Sequence, residues 1–265
     1  MSKIASALSD IDVAHRLADA ARAAILPYFR QPDLQTDNKE ADGFDPVTEA
    51  DRAGEAAMRA LLDDLRPEDG ILGEEHGIKP GTNGRQWVLD PIDGTRGFIS
   101  GTPNWGVLIA LSKADGPIMG VIDQPYIGER FTGGQGVARC DGPLGQTPLR
   151  TRQTQDLSDA IVFTTFPELG SPAERAGFAA VARHARLVRY GMDCYAYALL
   201  AAGQIDLVIE AGLAPYDIQA PIAVIEAAGG LVTGWQGEPA HNGGRALAAA
   251  NPDIHAKALE ILRGF

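Results

Sequence analysis

Apolar residues at the start of the chain fall at helical spacing. Leu8, Ile11, Ala14, Leu17, Ala18, Ala21, Ile25 and Phe29 recur every three or four positions, which predicts an amphipathic helix. Ser9 with Asp12 three residues on has the form of a capping box at its start. Residues 31–46 lose the stripe and contain Pro32, Gly43 and Pro46, so a loop is expected there. A second helix is predicted from Thr48 to Leu65, with Ala57, Met58, Leu61, Leu62 and Leu65 on one face. It should stop at Arg66-Pro67, because a residue before proline is pushed out of the helical region.

Short apolar runs follow. Ile71-Leu72, Trp87–Leu89, Val107–Leu111 and Ile118–Ile122 read as strands, the last two joined by a turn at Asp115-Gly116-Pro117. Arg130–Thr132 and Val137–Arg139 read as a hairpin across Gly133–Gly136. Strands and helices then alternate: strand 161–164, helix 172–184, strand 187–189, helix 194–202, strand 205–210, helix 215–228, strand 231–232 and a last helix from Pro252 to Arg263. Alternation of this kind argues for an α/β arrangement. The change of style puts a soft boundary near 145–158, dividing the chain into halves 1–150 and 151–265.

Composition narrows the function classes. The 265 residues and 45% apolar content suit a globular chain with a sizeable core. A net charge of −12 without a Lys/Arg cluster argues against nucleic acid and against anionic membranes. No apolar run is long enough to span a bilayer, and the first ten residues lack a signal-peptide core. Cys140 and Cys194 are too few for a disulfide framework and are expected to be packed thiols, so a cytoplasmic location is the simplest setting. The five histidines show no metal-ligand spacing and are expected at surface or capping positions. Nucleotide-binding glycine loops and the nucleophile-elbow pattern are absent.

Carboxylates carry what chemistry remains. In WVLDPIDGT, Asp90 ends an apolar run, Pro91-Ile92 form an expected two-residue turn, and Asp93 returns beside Gly94 and Thr95. Two such acids repel unless a cation lies between them. Oxygen ligands without His or Cys select Mg²⁺ over Zn²⁺. The amides of Gly94 and Thr95 would then face an anion such as phosphate. The same residues also suit an ordinary turn. Acids recur at Glu74-Glu75, at Asp217 in Pro215-Tyr216-Asp217, and from Asp45 to Asp51. Taken singly, the last two are better explained by helix capping and the helix dipole, and it is their recurrence in one chain that points elsewhere.

Taken in order, Glu74-Glu75, WVLDPIDGT, YDIQA and the downstream AAGG resemble the inositol monophosphatase family of Mg²⁺-dependent phosphatases, from about Asp45 to Gly230. The resemblance implies a layered αβαβα sandwich, two or three Mg²⁺ ions, a small phosphate-ester substrate and a homodimer. It implies metal ligation by Glu74, Asp90, Asp93, Asp217 and the carbonyl of Ile92. It further implies phosphate binding at Gly94 and Thr95, a pairing of Asp51 with Thr95 or with a metal-bound water, and substrate contact at Glu210. Asp51, Glu74 and Thr95 would be the catalytic residues and Asp217 would also border the substrate. The implied reaction is metal-assisted hydrolysis without a covalent phosphoenzyme.

Within the family, Arg96–Gly101 and Gly191–Tyr197 resemble the histidinol-phosphatase branch. Histidinol carries an amine that is cationic at neutral pH, and Asp193 with Glu210 could pair with it. Alternatively, Asp193 only caps the helix that starts at Cys194. The expected activity is hydrolysis of L-histidinol phosphate in histidine biosynthesis. Its rivals are an inositol or broad sugar-phosphate phosphatase and a non-catalytic partner-binding protein on the same fold.

Overall fold

The computed structural model describes residues 8–32, 36–38, 46–168 and 170–265. Helix α1 (Asp10–Ile25) opens with the Ser9/Asp12 capping box, and α2 (Glu49–Leu65) with an equivalent box made by Thr48 and Asp51. Between them β1 (Thr36–Asn38) and β2 (Pro46–Thr48) pair as a short antiparallel ribbon. The loop expected over 31–46 is corrected at these positions, and its residues 33–35 and 39–45 lie outside the described set.

The strands β3 (Gly70–Gly73), β4 (Gly77–Lys79), β5 (Gln86–Asp93), β6 (Gly106–Lys113), β7 (Gly116–Gln124), β8 (Glu129–Gly134), β9 (Val137–Gly142) and β10 (Gly145–Pro148) form one sheet. Its order is β10-β9-β8-β7-β6-β5-β3-β4, with only the β3/β5 pair parallel. Helix α3 (Thr95–Ser100) follows β5 directly. A second sheet holds β11 (Ile161–Thr164), β12 (Leu187–Tyr190), β13 (Leu207–Leu213), β14 (Leu231–Thr233) and β15 (Gly244–Ala249), in the order β12-β11-β13-β15-β14. Its helices are α4 (Pro172–Ala182), α5 (Cys194–Ala201), α6 (Pro215–Ala227) and α7 (Pro252–Leu262).

Residue alternation along the strands assembles these elements into layers. Trp87, Leu89, Val107, Ile109 and Leu111 pack with Val13 and Leu17 of α1 and Met58 and Leu62 of α2. Their neighbours Val88, Leu108 and Ala110 face the other way, toward Leu200 of α5 and Val224 of α6. That same cluster takes in Phe163, Val208 and Ala248 from the second sheet. The opposite face of the second sheet, through Val162, Leu207, Ile209 and Leu247, meets Phe178 of α4 and Ile254 and Leu262 of α7. The result is helix, sheet, helix, sheet, helix: the expected αβαβα sandwich.

The middle layer matters for the site because α6 lies directly on the first sheet. A Cβ at Gly120 would stand 2.5 Å from the Ala220 carbonyl oxygen, and one at Gly133 would stand 2.4 Å from the Val224 Cα. Bare backbone at β7 and β8 thus lets α6 settle there, and its first turn carries Asp217 to the end of β5.

Some expectations need correction. Strands β4, β10 and β15 were not predicted. β15 is Gly-Arg-Ala-Leu-Ala-Ala, poor in β-formers, and becomes a strand because it is bracketed by β13 and β14. His255 is buried and its Nε2 lies 2.8 Å from the Thr233 hydroxyl, and the half-buried His15 pairs with Thr132 at 2.9 Å. Neither is a plain surface residue. Both cysteines are free and buried, as expected. No helix among the described residues is long and apolar enough to cross a membrane.

Candidate active site

In a regular strand, residues three apart point to opposite faces. Asp90 and Asp93 would then diverge. The pairing of β5 with β6 shows why they do not: Asp90 stands opposite Leu108 and Asp93 opposite Gly106. Three steps on one strand match two on the other, so β5 holds one extra residue, a β-bulge at Pro91-Ile92. Pro91 has no N–H to lose from the ladder, and the Ile92 N–H donates to Asp90 Oδ1 at 3.0 Å. The expected two-residue turn is therefore a bulge inside a continuing strand, and the extra residue swings both carboxylates to one place.

Asp217 joins them from α6. One oxygen from each of Asp90, Asp93 and Asp217 falls within a sphere where all pairs are closer than 4.8 Å. Asp217 Oδ2 accepts the Ala214 N–H at 2.7 Å, as a third helical residue should. Capping and clustering are thus both true of this residue. Asp93 Oδ2 accepts the Cys194 N–H at 2.5 Å, which ties the bulge to α5. Burial pushes the carboxyls of Asp90 and Asp93 well above the usual range, and their acidic neighbours push further: Glu74, Asp93 and Asp217 on Asp90, and Asp193 and Asp217 on Asp93. Repulsion of this kind is relieved by a cation. The donor set is all oxygen, which fits a hard divalent ion.

Glu74 follows β3 and borders the same cavity. Its loop is held by a residue that sequence reasoning missed. Glu55, fully buried on α2, accepts the Glu75 N–H at 2.6 Å and the His76 N–H at 3.1 Å, and receives Arg59 Nε at 2.6 Å. The signal was an acid on the core-facing side of α2, one turn past Asp51 and in register with Met58 and Leu62.

Beyond the bulge, Gly94 has φ 86°, a left-handed conformation suited to glycine, and leads into α3. The first amides of a helix have no partner within it. The Thr95 hydroxyl donates to the Ile92 carbonyl oxygen at 3.0 Å and lies 3.4 Å from Asp51 Oδ1. Asp51 Oδ2 is occupied by the Thr48 N–H and hydroxyl, so one oxygen caps α2 and the other faces Thr95. Burial pushes the Asp51 carboxyl up to about 6.

The space holds about 300 Å³ and is bordered by Glu74, Asp90, Asp93 and Asp217 and, besides them, by Thr165, Phe166, Asp193 and Glu210. The Asp193 side chain lies against Gly94, 3.1 Å from where a Cβ on that glycine would stand. Asp193 stands at the N-cap position of α5, yet its side chain caps nothing. Its φ of 45° is a strained value for a residue with a side chain. Asn104 Nδ2 donates to Asp193 Oδ2 at 3.3 Å and to the Gly191 carbonyl oxygen at 2.9 Å. Burial pushes the Asp193 carboxyl up to about 6, and the charge of Arg96 opposes part of that rise. Glu210, at the end of the buried run in β13, accepts the Thr165 N–H at 2.6 Å and the Thr165 hydroxyl at 2.9 Å. Its carboxyl is pushed up to about 7, chiefly by burial.

Glu74, Asp90, Ile92, Asp93, Gly94, Thr95, Asp193, Glu210 and Asp217 therefore border one cavity, and Asp51 stands directly behind Thr95. The sandwich and its acidic cluster fit a metal-dependent phosphatase. The chain belongs to the inositol monophosphatase family, whose model matches residues 8–264. It is 41% identical to the chloroplastic bifunctional phosphatase IMPL2 of Arabidopsis thaliana, over 94% of this chain and 74% of that protein. It is 35% identical to the histidinol-phosphatase of Streptomyces coelicolor, over 96% and 97% of the two chains. A solved inositol monophosphatase from Zymomonas mobilis superposes with a TM-score of 0.85 at 41% identity, covering 96% of this chain and 97% of that one.

Proposed function

We propose that the protein is a Mg²⁺-dependent histidinol-phosphate phosphatase. The observation that carries this reading is Asp193: it occupies a cap position without capping, and borders the cavity beside Gly94 and the acidic cluster. With Glu210 in the same lining, the cavity offers negative charge to the leaving group. A leaving group with a cationic amine meets that charge, whereas a polyol does not need it. The identity to the Streptomyces histidinol-phosphatase supports the same choice.

In this reading Glu74, Asp90, Asp93, Asp217 and the Ile92 carbonyl would hold two or three Mg²⁺ ions, which would offset phosphate charge and make a water more acidic. The amides of Gly94 and Thr95 orient the phosphate. The Thr95 hydroxyl, backed by Asp51, passes a proton from the attacking water. The Asp51 carboxyl, raised by burial, is suited to accept it near neutral pH. Asp193 and Glu210 hold the departing alcohol. The enzyme works as a cytoplasmic homodimer.

Phosphate release from L-histidinol phosphate, inositol 1-phosphate, fructose 1,6-bisphosphate and 3′-phosphoadenosine 5′-phosphate tests this, with and without Mg²⁺. Mg²⁺-dependent release with L-histidinol phosphate preferred is expected. The likeness to the Zymomonas inositol monophosphatase favours a second reading, in which inositol 1-phosphate is preferred. Release from none of the four would move the weight to a non-catalytic role.

A further inference from the structure

Beyond the acidic pair, the wall contains one aromatic ring. Phe166 directly follows Thr165, the residue that fixes Glu210, and borders the cavity while staying 39% exposed. Large apolar side chains are usually buried, and this ring is held open at the mouth of a polar site. Its face is not idle. The Arg96 guanidinium lies over it, with Cζ 4.9 Å from the ring centroid. Arg96 is also the positive charge that acts on Asp193. A planar cation from the chain's own helix α3 thus lies on the aromatic ring, and its charge reaches the acid.

We infer that Phe166 is a specificity-determining residue: with Asp193 it forms a slot for a leaving group that joins a flat ring to a cationic amine, and the Arg96 guanidinium covers the ring face in this structure. The inference rests on the proposed reaction for its choice of ligand and deepens it by naming what holds the ring. A guanidinium and an imidazole are both flat and of similar size, and either can stack on the face of an aromatic ring. The amine takes the carboxylate. A polyol has neither a flat face nor a charge and gains from neither. In this arrangement substrate displaces Arg96 from the ring.

Calorimetric titration of the Mg²⁺-loaded protein with L-histidinol, the product alcohol, tests the slot without needing turnover. Inorganic phosphate serves as the control for the rest of the cavity. Phe166→Leu keeps apolar bulk and removes the ring, and should weaken L-histidinol binding about tenfold while leaving the phosphate affinity unchanged. Phe166→Trp should retain both affinities. The inference is overturned if Phe166→Leu leaves L-histidinol affinity unchanged, if it weakens phosphate equally, or if the unmodified protein binds no L-histidinol. Ring-dependent binding of L-histidinol without hydrolysis of its phosphate ester would instead sink the proposed reaction and leave the slot standing.

Discussion

The two walls of the cavity are built on different terms. On the side of the first sheet, backbone geometry does the work: a bulge in β5 aligns Asp90 and Asp93, and α6, pressed onto Gly120 and Gly133, delivers Asp217. Elsewhere in the lining, Phe166, Asp193 and Glu210 come from a loop, a helix start and a strand end, with Asn104 bonded to Asp193 and Thr165 to Glu210. A rigid wall that gathers like charge suits the part of a reaction that every phosphate ester shares. A wall of separately anchored side chains can be changed one residue at a time, and suits the part that differs between esters.

The largest expected break falls on the first wall. Asp93→Asn should lower phosphate release by at least about a thousandfold for every ester, since it removes one of the clustered oxygens that answer the phosphate charge. The same change should raise the melting temperature of the metal-free protein, because a buried carboxylate crowded by Asp193 and Asp217 has been neutralised. A metal-free melting temperature that falls would contradict the account of repulsion in the cluster. A smaller effect is expected one layer back. Glu55→Gln keeps the side-chain shape but cannot accept both the Glu75 and His76 amides through carboxylate oxygens. The Mg²⁺ concentration for half-maximal activity should rise roughly tenfold, alike for all esters, with kcat at saturating Mg²⁺ nearly restored. A loss of kcat that Mg²⁺ does not rescue would count against a role for Glu55 through the Glu74 loop.

The first wall was largely legible in the sequence, and the second only in part. Asp90, Asp93 and Gly94 sit together in the chain, and the acid–proline–acid–glycine pattern states its chemistry locally. Even so, the bulge was read as a turn, because the pairing that reveals it lies in β6. Asp193 could be named, with capping as its alternative until the structure showed the cap position unused. Phe166 and Asn104 gave no signal, since nothing local distinguishes an aromatic residue held at a cavity mouth from one in a core. Glu55 gave a faint one, as an acid on the buried stripe of α2. The helices and strands followed from apolar periodicity where strands were rich in Val, Ile and Leu, and periodicity failed at the alanine-rich β15, which its neighbours fold; the layering followed from the family resemblance.

The most direct test of the division between the walls is the kcat/KM for L-histidinol phosphate and for inositol 1-phosphate, measured at saturating Mg²⁺ on the unmodified protein and on Asp193→Ala. The account predicts that L-histidinol phosphate is preferred at the outset. The substitution should then cost that ester about tenfold to a hundredfold, the worth of a charge-assisted contact, while inositol 1-phosphate hydrolysis is nearly unchanged. An equal loss for both esters, or a preference for inositol 1-phosphate at the outset, would contradict it.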